Sequence, residues 1–127
     1  MVLFPLKSTE ISVAQEQDDI HEQVVEIVNI DKIITLLSYE YMVDEQLARR
    51  IIMCESSFNP DARNYNAKVG VDIGYFQINS HYWEAKMLEM GWDIYNPYDN
   101  LRAGFWLLSK QGTQPWFWSK HCWEKRG

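Results

Sequence analysis

Glu55 is the residue of this chain whose position most directly indicates chemistry. Ala48, Ile51 and Ile52 precede it at the spacing of one helix face, so the carboxylate would share that apolar face. Burial disfavours the charged form of a carboxylate, and the negative end of the helix dipole does the same, so we expect the pKa of Glu55 to be raised. A carboxyl group that stays protonated near working pH can act as a general acid and give its proton to a leaving oxygen.

The helix that must position Glu55 has a clear beginning. Asp44 is a good N-cap residue, and the apolar Val43 lies just outside it. A simpler interpretation of Glu55 is a residue at the edge of the core whose carboxylate pairs with Arg49 or Arg50. The helix by itself favours this structural role, so the catalytic interpretation depends on the segments that follow.

Three sequence segments carry the further evidence. Residues 55–64 read ESSFNPDARN, residues 72–80 read DIGYFQINS, and residues 96–101 read NPYDNL. The first resembles the catalytic-glutamate motif of soluble lytic transglycosylases. The second resembles both their Gly-x-x-Gln segment and the Asp-x-Gly-x-x-Gln-Ile-Asn-Ser strand of chicken-type lysozymes, and the third resembles the penultimate helix of the transglycosylases. From about Ile33 to Trp123, the chain thus resembles the lysozyme-like superfamily of peptidoglycan-cleaving enzymes.

This resemblance implies an α+β fold that is mostly α-helical, of the lysozyme-like type, with a small β-hairpin lobe and a substrate cleft between the lobes. It implies a lytic transglycosylase that cleaves the β-1,4 bond between N-acetylmuramic acid (MurNAc) and N-acetylglucosamine (GlcNAc) in peptidoglycan. In such enzymes one glutamate, here Glu55, protonates the glycosidic oxygen and then deprotonates the muramyl 6-hydroxyl, giving a 1,6-anhydro product. We expect no metal and no organic cofactor for this reaction.

Asp72 raises a second possibility, because it lies seventeen residues after Glu55. The two catalytic carboxylates of chicken-type lysozymes have the same separation, so the resemblance also implies a hydrolytic muramidase in which Asp72 stabilises or captures the oxocarbenium ion. A structural alternative is an Asx-type turn in which Asp72 accepts backbone N–H bonds. A third possibility is a lysozyme-like module that binds glycan or a partner without catalysis.

The resemblance assigns several other side chains to the cleft. Gln77 and Asn79 would line its floor and hold the N-acetyl group of a sugar, while Tyr75 would either face the substrate or pack beneath the hairpin. Ser57 would orient the Glu55 carboxylate or simply close the helix. At least one of the two assigned tryptophans would belong to the core, where a buried indole helps to maintain a raised pKa at the glutamate. The residues assigned to substrate binding are Ser57, Tyr75, Gln77, Asn79, Trp116 and Trp118.

The two cysteines of the chain, Cys54 and Cys122, allow one disulfide. Chicken-type lysozymes tie the helix of the catalytic glutamate to a Trp-rich C-terminal helix in this way, and the resemblance implies the same bridge here. The alternative is two unrelated buried thiols. The histidines His21, His81 and His121 lack the spacing of metal ligands, so we expect no metal site.

Composition and charge narrow the range of partners. The net charge is −6, and residues 1–50 carry all of this excess, while residues 51–127 have eight acidic and eight basic groups. No run of Lys and Arg occurs, so nucleic acid and anionic membranes are not expected partners. No apolar stretch reaches the roughly 18 residues of a membrane span. Aromatic residues make up 14% of the chain, which suits a site that stacks on sugar rings.

The length of 127 residues is typical of one small domain that can bury its own core. We expect a flexible polar arm over residues 1–19, a lysozyme-like catalytic domain over residues 20–127, and a monomer. The segment Met1–Leu6 is too short for the apolar region of a signal peptide. The resemblance to peptidoglycan-cleaving enzymes implies an extracytoplasmic or cell wall-associated location. We therefore expect either that the export signal is absent from this chain or that the protein is phage-encoded.

Apolar periodicity and capping residues predict the other elements. They are helical stripes over 20–28 and 33–41, a small β-hairpin within 59–79, a helix capped by Ser80 that ends near Met90, a helix from Asn96 and Pro97 to Gly112, and a short helix from Pro115.

Overall fold

The structure is a computed structural model that describes residues 16–17 and 30–124. The chain divides between Ile33 and Ile34 into two units. Of the first unit, residues 16–17 and 30–33 are described, and all of them are helical. The predicted boundary between an arm over 1–19 and a domain over 20–127, and the helical stripe over 20–28, lie outside the described residues and stay predictions.

The second unit is built mainly from helices, with one small sheet between the second and third of them. The fold is therefore α+β and mostly α-helical, as predicted. None of the helices in the described part of the chain combines the length and the apolar character that a membrane crossing requires. The elements are α1 (30–41), α2 (Glu45–Ser56), β1 (Arg63–Asn64), β2 (Asp72–Ile73), β3 (Ile78–Asn79), α3 (Ser80–Glu89), α4 (Pro97–Gln111), a 3₁₀ helix (Gln114–Ser119) and α5 (Lys120–Trp123).

Polar side chains begin three of these helices. Asp44 caps α2 and Asn96 caps α4, as predicted, since each side chain accepts backbone N–H bonds from the first turn. For α3 the prediction of Ser80 as the cap was wrong by one residue. Asn79 is the cap, and the Ser80 hydroxyl instead accepts the backbone N–H of Val71, which ties the start of α3 to the loop before β2.

The sheet is antiparallel with the strand order β1-β2-β3, and each strand has two residues. The predicted hairpin corresponds to β2 and β3, where Asp72 pairs with Asn79, and β1 adds a strand on the other edge of β2. The turn between β2 and β3 is tight, because the N–H of Gln77 donates to the carbonyl of Gly74 over 3.1 Å. Gln77 lies in this turn and Asn79 follows it on β3. The turn therefore positions both carboxamide side chains that were predicted for the site from the sequence.

Phe76, in that turn, is fully buried and anchors it to the helices. Its ring centroid lies 5.6 Å from that of Phe105 on α4 and 5.4 Å from that of Trp116 in the 3₁₀ helix. Gly104 explains why α4 can approach so closely, since a Cβ at this position would lie 2.0 Å from Cδ2 of Phe76. Glycine is unfavourable within a helix, so close packing is the reason for its presence here.

Asn100 makes the polar connection between α4 and the same turn. Its side chain is 1% exposed. The amide group donates to the carbonyls of Ile73 (2.9 Å) and Ile94 (3.0 Å), and the side-chain oxygen accepts the N–H of Phe76 (3.1 Å). Gly74 leaves room for it, because a Cβ there would lie 2.5 Å from the Asn100 nitrogen. One buried amide thus satisfies three backbone groups of the loops around α4.

The disulfide between Cys54 and Cys122 is present, as predicted. It joins α2 to α5 across a sequence separation of 68 residues. Closing a loop of this length stabilises the folded chain by about 4 kcal/mol in the chain-entropy description. The bridge holds the C-terminal segment against the turn of α2 that carries Glu55.

We expect Asn100→Ala to lower the free energy of unfolding by about 3 kcal/mol or more, because two carbonyls and one N–H would lose their buried partner. Urea denaturation followed by tryptophan fluorescence measures this change. The control is Asn66→Ala, which removes a similar amide from an exposed loop position. Equal effects of the two substitutions would contradict the assigned role of Asn100.

Candidate active site

A cleft of about 810 Å³ opens beside the last turn of α2, the sheet and the 3₁₀ helix. Both carboxylates singled out in the sequence, Glu55 and Asp72, belong to its walls. The residues that line the cleft are Glu55, Asn64, Ala67, Lys68, Val69, Asp72, Gln77, Ile78, Asn79, Tyr82, Trp83, Leu107, Pro115, Trp116, Trp118, Ser119 and His121.

Glu55 lies in the last turn of α2 and is half-buried. The buried residues Ala48, Ile51 and Ile52 hold this helix in the core, so the predicted apolar face carries the carboxylate to the cleft wall. The contacts seen among the described residues place the neighbouring arginines elsewhere than on Glu55: Arg49 binds Glu45 on its own helix, and Arg50 donates to the carbonyl of Trp123.

Burial is the main reason why the pKa of Glu55 is raised above its ordinary value. A hydrogen bond from the hydroxyl of Ser119 opposes this by stabilising the carboxylate, and the negative charge of Asp72 adds to the upward shift. The net effect favours the protonated carboxyl group. Chemically, Glu55 is thus a candidate proton donor that faces a cleft open to a ligand.

Ser119 contacts Glu55 directly but is not among the residues predicted for the site from the sequence. It ends the 3₁₀ helix, lines the cleft, and donates its hydroxyl hydrogen to Glu55 Oε1. Its oxygen also lies 3.1 Å from the carbonyl oxygen of Trp116 and 3.1 Å from Nε1 of Trp123. The predicted disulfide indicated that the C-terminal segment approaches Glu55, but nothing in the sequence marked this serine.

Asp72 lies on β2 and lines the same cleft. Its Oδ1 accepts a hydrogen bond of 3.0 Å from the side-chain amide of Asn79, its partner across the β2–β3 pair. The same amide donates to the carbonyl of Val69 over 2.8 Å, while the Asn79 oxygen caps α3. Asn79 is therefore fixed by several contacts and presents Asp72 in a defined orientation.

Gln77 has the backbone angle φ = 51°, a left-handed conformation that is uncommon outside glycine. Its amide nitrogen donates to the carbonyls of Ala62 (3.2 Å) and Gly74 (3.0 Å), so the side chain fastens the turn to the segment before β1. Gln77 also lines the cleft, where the prediction placed it. Strained residues of this kind cluster at functional sites because the surrounding structure has to hold them.

The two predicted tryptophans have different environments. Trp116 is 4% exposed, and its indole Nε1 donates to the carbonyl of Phe76 over 2.8 Å, so it forms a buried part of the cleft wall. Trp118 is 90% exposed at the cleft, where its ring faces solvent. One indole therefore belongs to the core, as expected, and the other is available to a ligand.

Two residues assigned to substrate binding, Ser57 and Tyr75, are not among the side chains that line the cleft. Ser57 is the exposed C-cap of α2, with φ = 52°. The neighbouring Ser56 connects the end of α2 to the turn between β2 and β3, since its hydroxyl donates to the carbonyl of Tyr75 over 2.8 Å. Tyr75 is buried beneath the turn, which corresponds to the second of its two expected orientations. Their contacts with a substrate stay predictions.

Within residues 16–17 and 30–124, no group of three or more His, Cys, Asp and Glu side chains is arranged to hold a metal ion. The chemistry that these described residues offer is proton transfer by Glu55, electrostatic influence from Asp72, and an aromatic surface at Trp118.

Because the folded state favours the protonated form of Glu55, ionisation of this residue opposes folding. The destabilisation develops as pH rises from the ordinary pKa of a glutamate to the raised pKa in the folded protein. We therefore expect Glu55→Gln to be more stable than the wild type at neutral pH and the difference to shrink toward acid pH. Thermal melts across a pH series measure it. Glu84→Gln, which lies outside the cleft on α3, is the control, and an identical pH profile in both variants would contradict the buried-acid interpretation.

The comparison with known protein families agrees with this geometry. Residues 33–116 match the family described as Transglycosylase SLT domain. This range covers about two thirds of the chain and contains Glu55, Asp72 and Trp116. The curated proteins and the solved structures gave no match. A match of this extent shows that the chain belongs to the transglycosylase SLT domain family, within the lysozyme-like superfamily.

Proposed function

We propose that this protein is a peptidoglycan lytic transglycosylase that cleaves the β-1,4 bond between MurNAc and GlcNAc, with Glu55 as both acid and base. Membership of the SLT family gives a peptidoglycan-directed function at the level of the family. The observation that carries the proposal for this chain is the half-buried Glu55, whose pKa is raised by burial and which faces an open cleft of about 810 Å³.

In the first step, the protonated Glu55 donates its proton to the glycosidic oxygen, and the bond between this oxygen and C1 of the muramyl sugar breaks. Burial supports this step because it raises the pKa of Glu55 and so favours the protonated carboxyl group. The sugar is left with oxocarbenium character at C1, and Glu55 is left as a carboxylate.

In the second step, the Glu55 carboxylate removes the proton of the muramyl 6-hydroxyl, and the oxygen attacks C1. The product is a 1,6-anhydro sugar, and Glu55 regains its proton without the participation of water. One carboxyl group is sufficient because the two proton transfers follow one another and cancel.

Binding of the glycan strand would use the aromatic and amide groups of the cleft. The exposed ring of Trp118 offers a flat apolar surface to a pyranose ring. On the sheet side of the cleft, Gln77 would contribute its side-chain oxygen, because its amide hydrogens already bind the carbonyls of Ala62 and Gly74. The Asn79 amide is used within the protein in the same way, so Asn79 would act by orienting Asp72. Because peptidoglycan is extracytoplasmic, the proposed site of action is the cell wall, reached by export or as part of a phage protein.

Asp72 supports a second candidate, a hydrolytic muramidase. It lines the same cleft as Glu55, and its charge contributes to the raised pKa of Glu55. In this alternative Asp72 stabilises the oxocarbenium ion and water completes the reaction. The third possibility, a module without catalysis, would be favoured by an exposed or arginine-paired Glu55, whereas Glu55 is half-buried and bonded to Ser119.

Digestion of purified peptidoglycan, with the muropeptide ends identified by mass spectrometry, tests the proposal. We expect 1,6-anhydro-muramyl ends, lighter by one water than reducing ends, and a rate that falls by about 10²- to 10⁴-fold in Glu55→Gln. Reducing muramyl ends would favour the muramidase. The absence of products from several wall types would contradict both catalytic candidates.

The substitution Asp72→Asn separates the two catalytic candidates. It keeps an oxygen that can accept the hydrogen bond from Asn79, so the fold should persist. For the transglycosylase we expect less than about tenfold loss of kcat, together with a shift of the alkaline limb of the pH profile to lower pH, because the pKa of Glu55 loses the upward influence of Asp72. The control is Asp61→Asn, which changes an exposed aspartate outside the cleft lining. A loss of about 100-fold in a folded Asp72→Asn, with wild-type activity in Asp61→Asn, would instead assign Asp72 to catalysis.

A further inference from the structure

The hydroxyl of Ser119 has three polar neighbours, of which two are hydrogen-bond acceptors and one is a donor. Glu55 Oε1 and the carbonyl oxygen of Trp116 can both accept its hydrogen, the second at 3.1 Å. The third neighbour, Nε1 of Trp123, lies 3.1 Å away and can only donate. A serine hydroxyl has one hydrogen and two lone pairs, so Glu55 and the Trp116 carbonyl compete for a single donor.

Two arrangements give every donor hydrogen an acceptor. When Glu55 is ionised, Ser119 donates to its carboxylate and accepts from Trp123. When Glu55 is protonated, the carboxyl group can donate to the Ser119 oxygen, and the Ser119 hydrogen turns to the carbonyl of Trp116. Trp123 keeps a partner in both cases, because its Nε1 also lies 3.0 Å from the Trp116 carbonyl oxygen.

We propose that Ser119 is a positioning residue that holds the Glu55 carboxyl group in one place in both of its protonation states. The inference rests on the proposed function, in which Glu55 must be protonated in the first step and ionised in the second. A donor fixed on the carboxylate would suit only the ionised form. A hydroxyl with a second acceptor can reverse its bond to Glu55 by rotating about one C–O bond, with no movement of heavy atoms.

The surroundings hold Ser119 where this role requires it. Cys54 directly precedes Glu55 and is bonded to Cys122, which lies three residues after Ser119. On the same side, Arg50 of α2 donates to the carbonyl of Trp123 over 2.9 Å. The serine and the glutamate therefore belong to two segments that are joined both covalently and by hydrogen bonds.

The test compares Ser119→Ala with Ser119→Thr and with Ser109→Ala. Ser109 is a matched control, because its hydroxyl also donates to the carbonyl three residues earlier, that of Trp106, but it is exposed on α4 and outside the cleft. We expect Ser119→Ala to lower kcat by about 10- to 100-fold with KM changed less than threefold, Ser119→Thr to recover most of the loss, and Ser109→Ala to equal the wild type.

The pH dependence of kcat distinguishes a positioning role of Ser119 from a purely structural one. Because the Ser119 hydrogen bond lowers the pKa of Glu55, its removal should raise that pKa and shift the alkaline limb of the kcat profile to higher pH. A carbon NMR titration of the Glu55 carboxyl group should show the same shift in the absence of substrate, and Ser119→Thr should resemble the wild type.

The outcomes separate this inference from the proposed function. If the wild type forms 1,6-anhydro ends and Ser119→Ala matches it in kcat and in the Glu55 titration, the positioning role is wrong and the transglycosylase stands. If the wild type releases no muropeptides, the proposed function fails, and an unchanged titration in Ser119→Ala would overturn the Ser119 assignment as well. Equal losses in Ser119→Ala and Ser119→Thr would also overturn it, because the hydroxyl would then not be the group that matters.

Discussion

The position of the site depends on the contact between the ring of Phe76 and Gly104 of α4. Gly104 lets the ring lie against the helix axis, and the buried ring fixes the β2–β3 turn. The carbonyl of Phe76 then accepts the indole N–H of Trp116 over 2.8 Å, which places the 3₁₀ helix that ends at Ser119. A chain of contacts thus runs from the core of α4 to the hydroxyl beside Glu55, and the disulfide holds the same segment from the side of α2.

Several residues at and beside the cleft have environments or backbone conformations that cost free energy, in contrast to the apolar residues of the core. Glu55 is half-buried without a cationic partner among its described contacts, and Gln77, which lines the cleft, has a φ angle of 51°. Ser57 and Phe58, which follow the helix of Glu55 and lie outside the cleft lining, have φ angles of 52° and 60°. Non-glycine residues in this left-handed region carry strain of about 1 kcal/mol or more each. The buried side chain of Asn100 and the disulfide stabilise the segments on which these residues lie. The stability of the scaffold therefore maintains an arrangement that the site residues alone would not adopt.

Local signals in the sequence predicted α2, the caps Asp44 and Asn96, and the end of α4 at Gly112, because each depends on neighbours within a few residues. The pairing of Cys54 with Cys122 followed from the family resemblance. Ser119 could not be predicted, since its bond to Glu55 joins positions 64 residues apart. The inward direction of Tyr75 was also undetermined, because Tyr75 lies in the turn between Gly74 and Gln77, where the two-residue alternation of a strand does not apply.

The proposed chemistry makes opposite demands on one carboxyl group, which must first release a proton and then take one back. Burial and the charge of Asp72 favour the protonated form, whereas the hydroxyl of Ser119 favours the ionised form. These influences act in opposite directions on the pKa of Glu55, which suits a group that has to act first as an acid and then as a base. An enzyme with two carboxylates can assign the tasks to different groups. With a single carboxyl group, both tasks fall to Glu55, and a neighbour that can bind its protonated and its ionised form keeps it in place for both. The Ser119 hydroxyl, with two acceptors within reach, is such a neighbour.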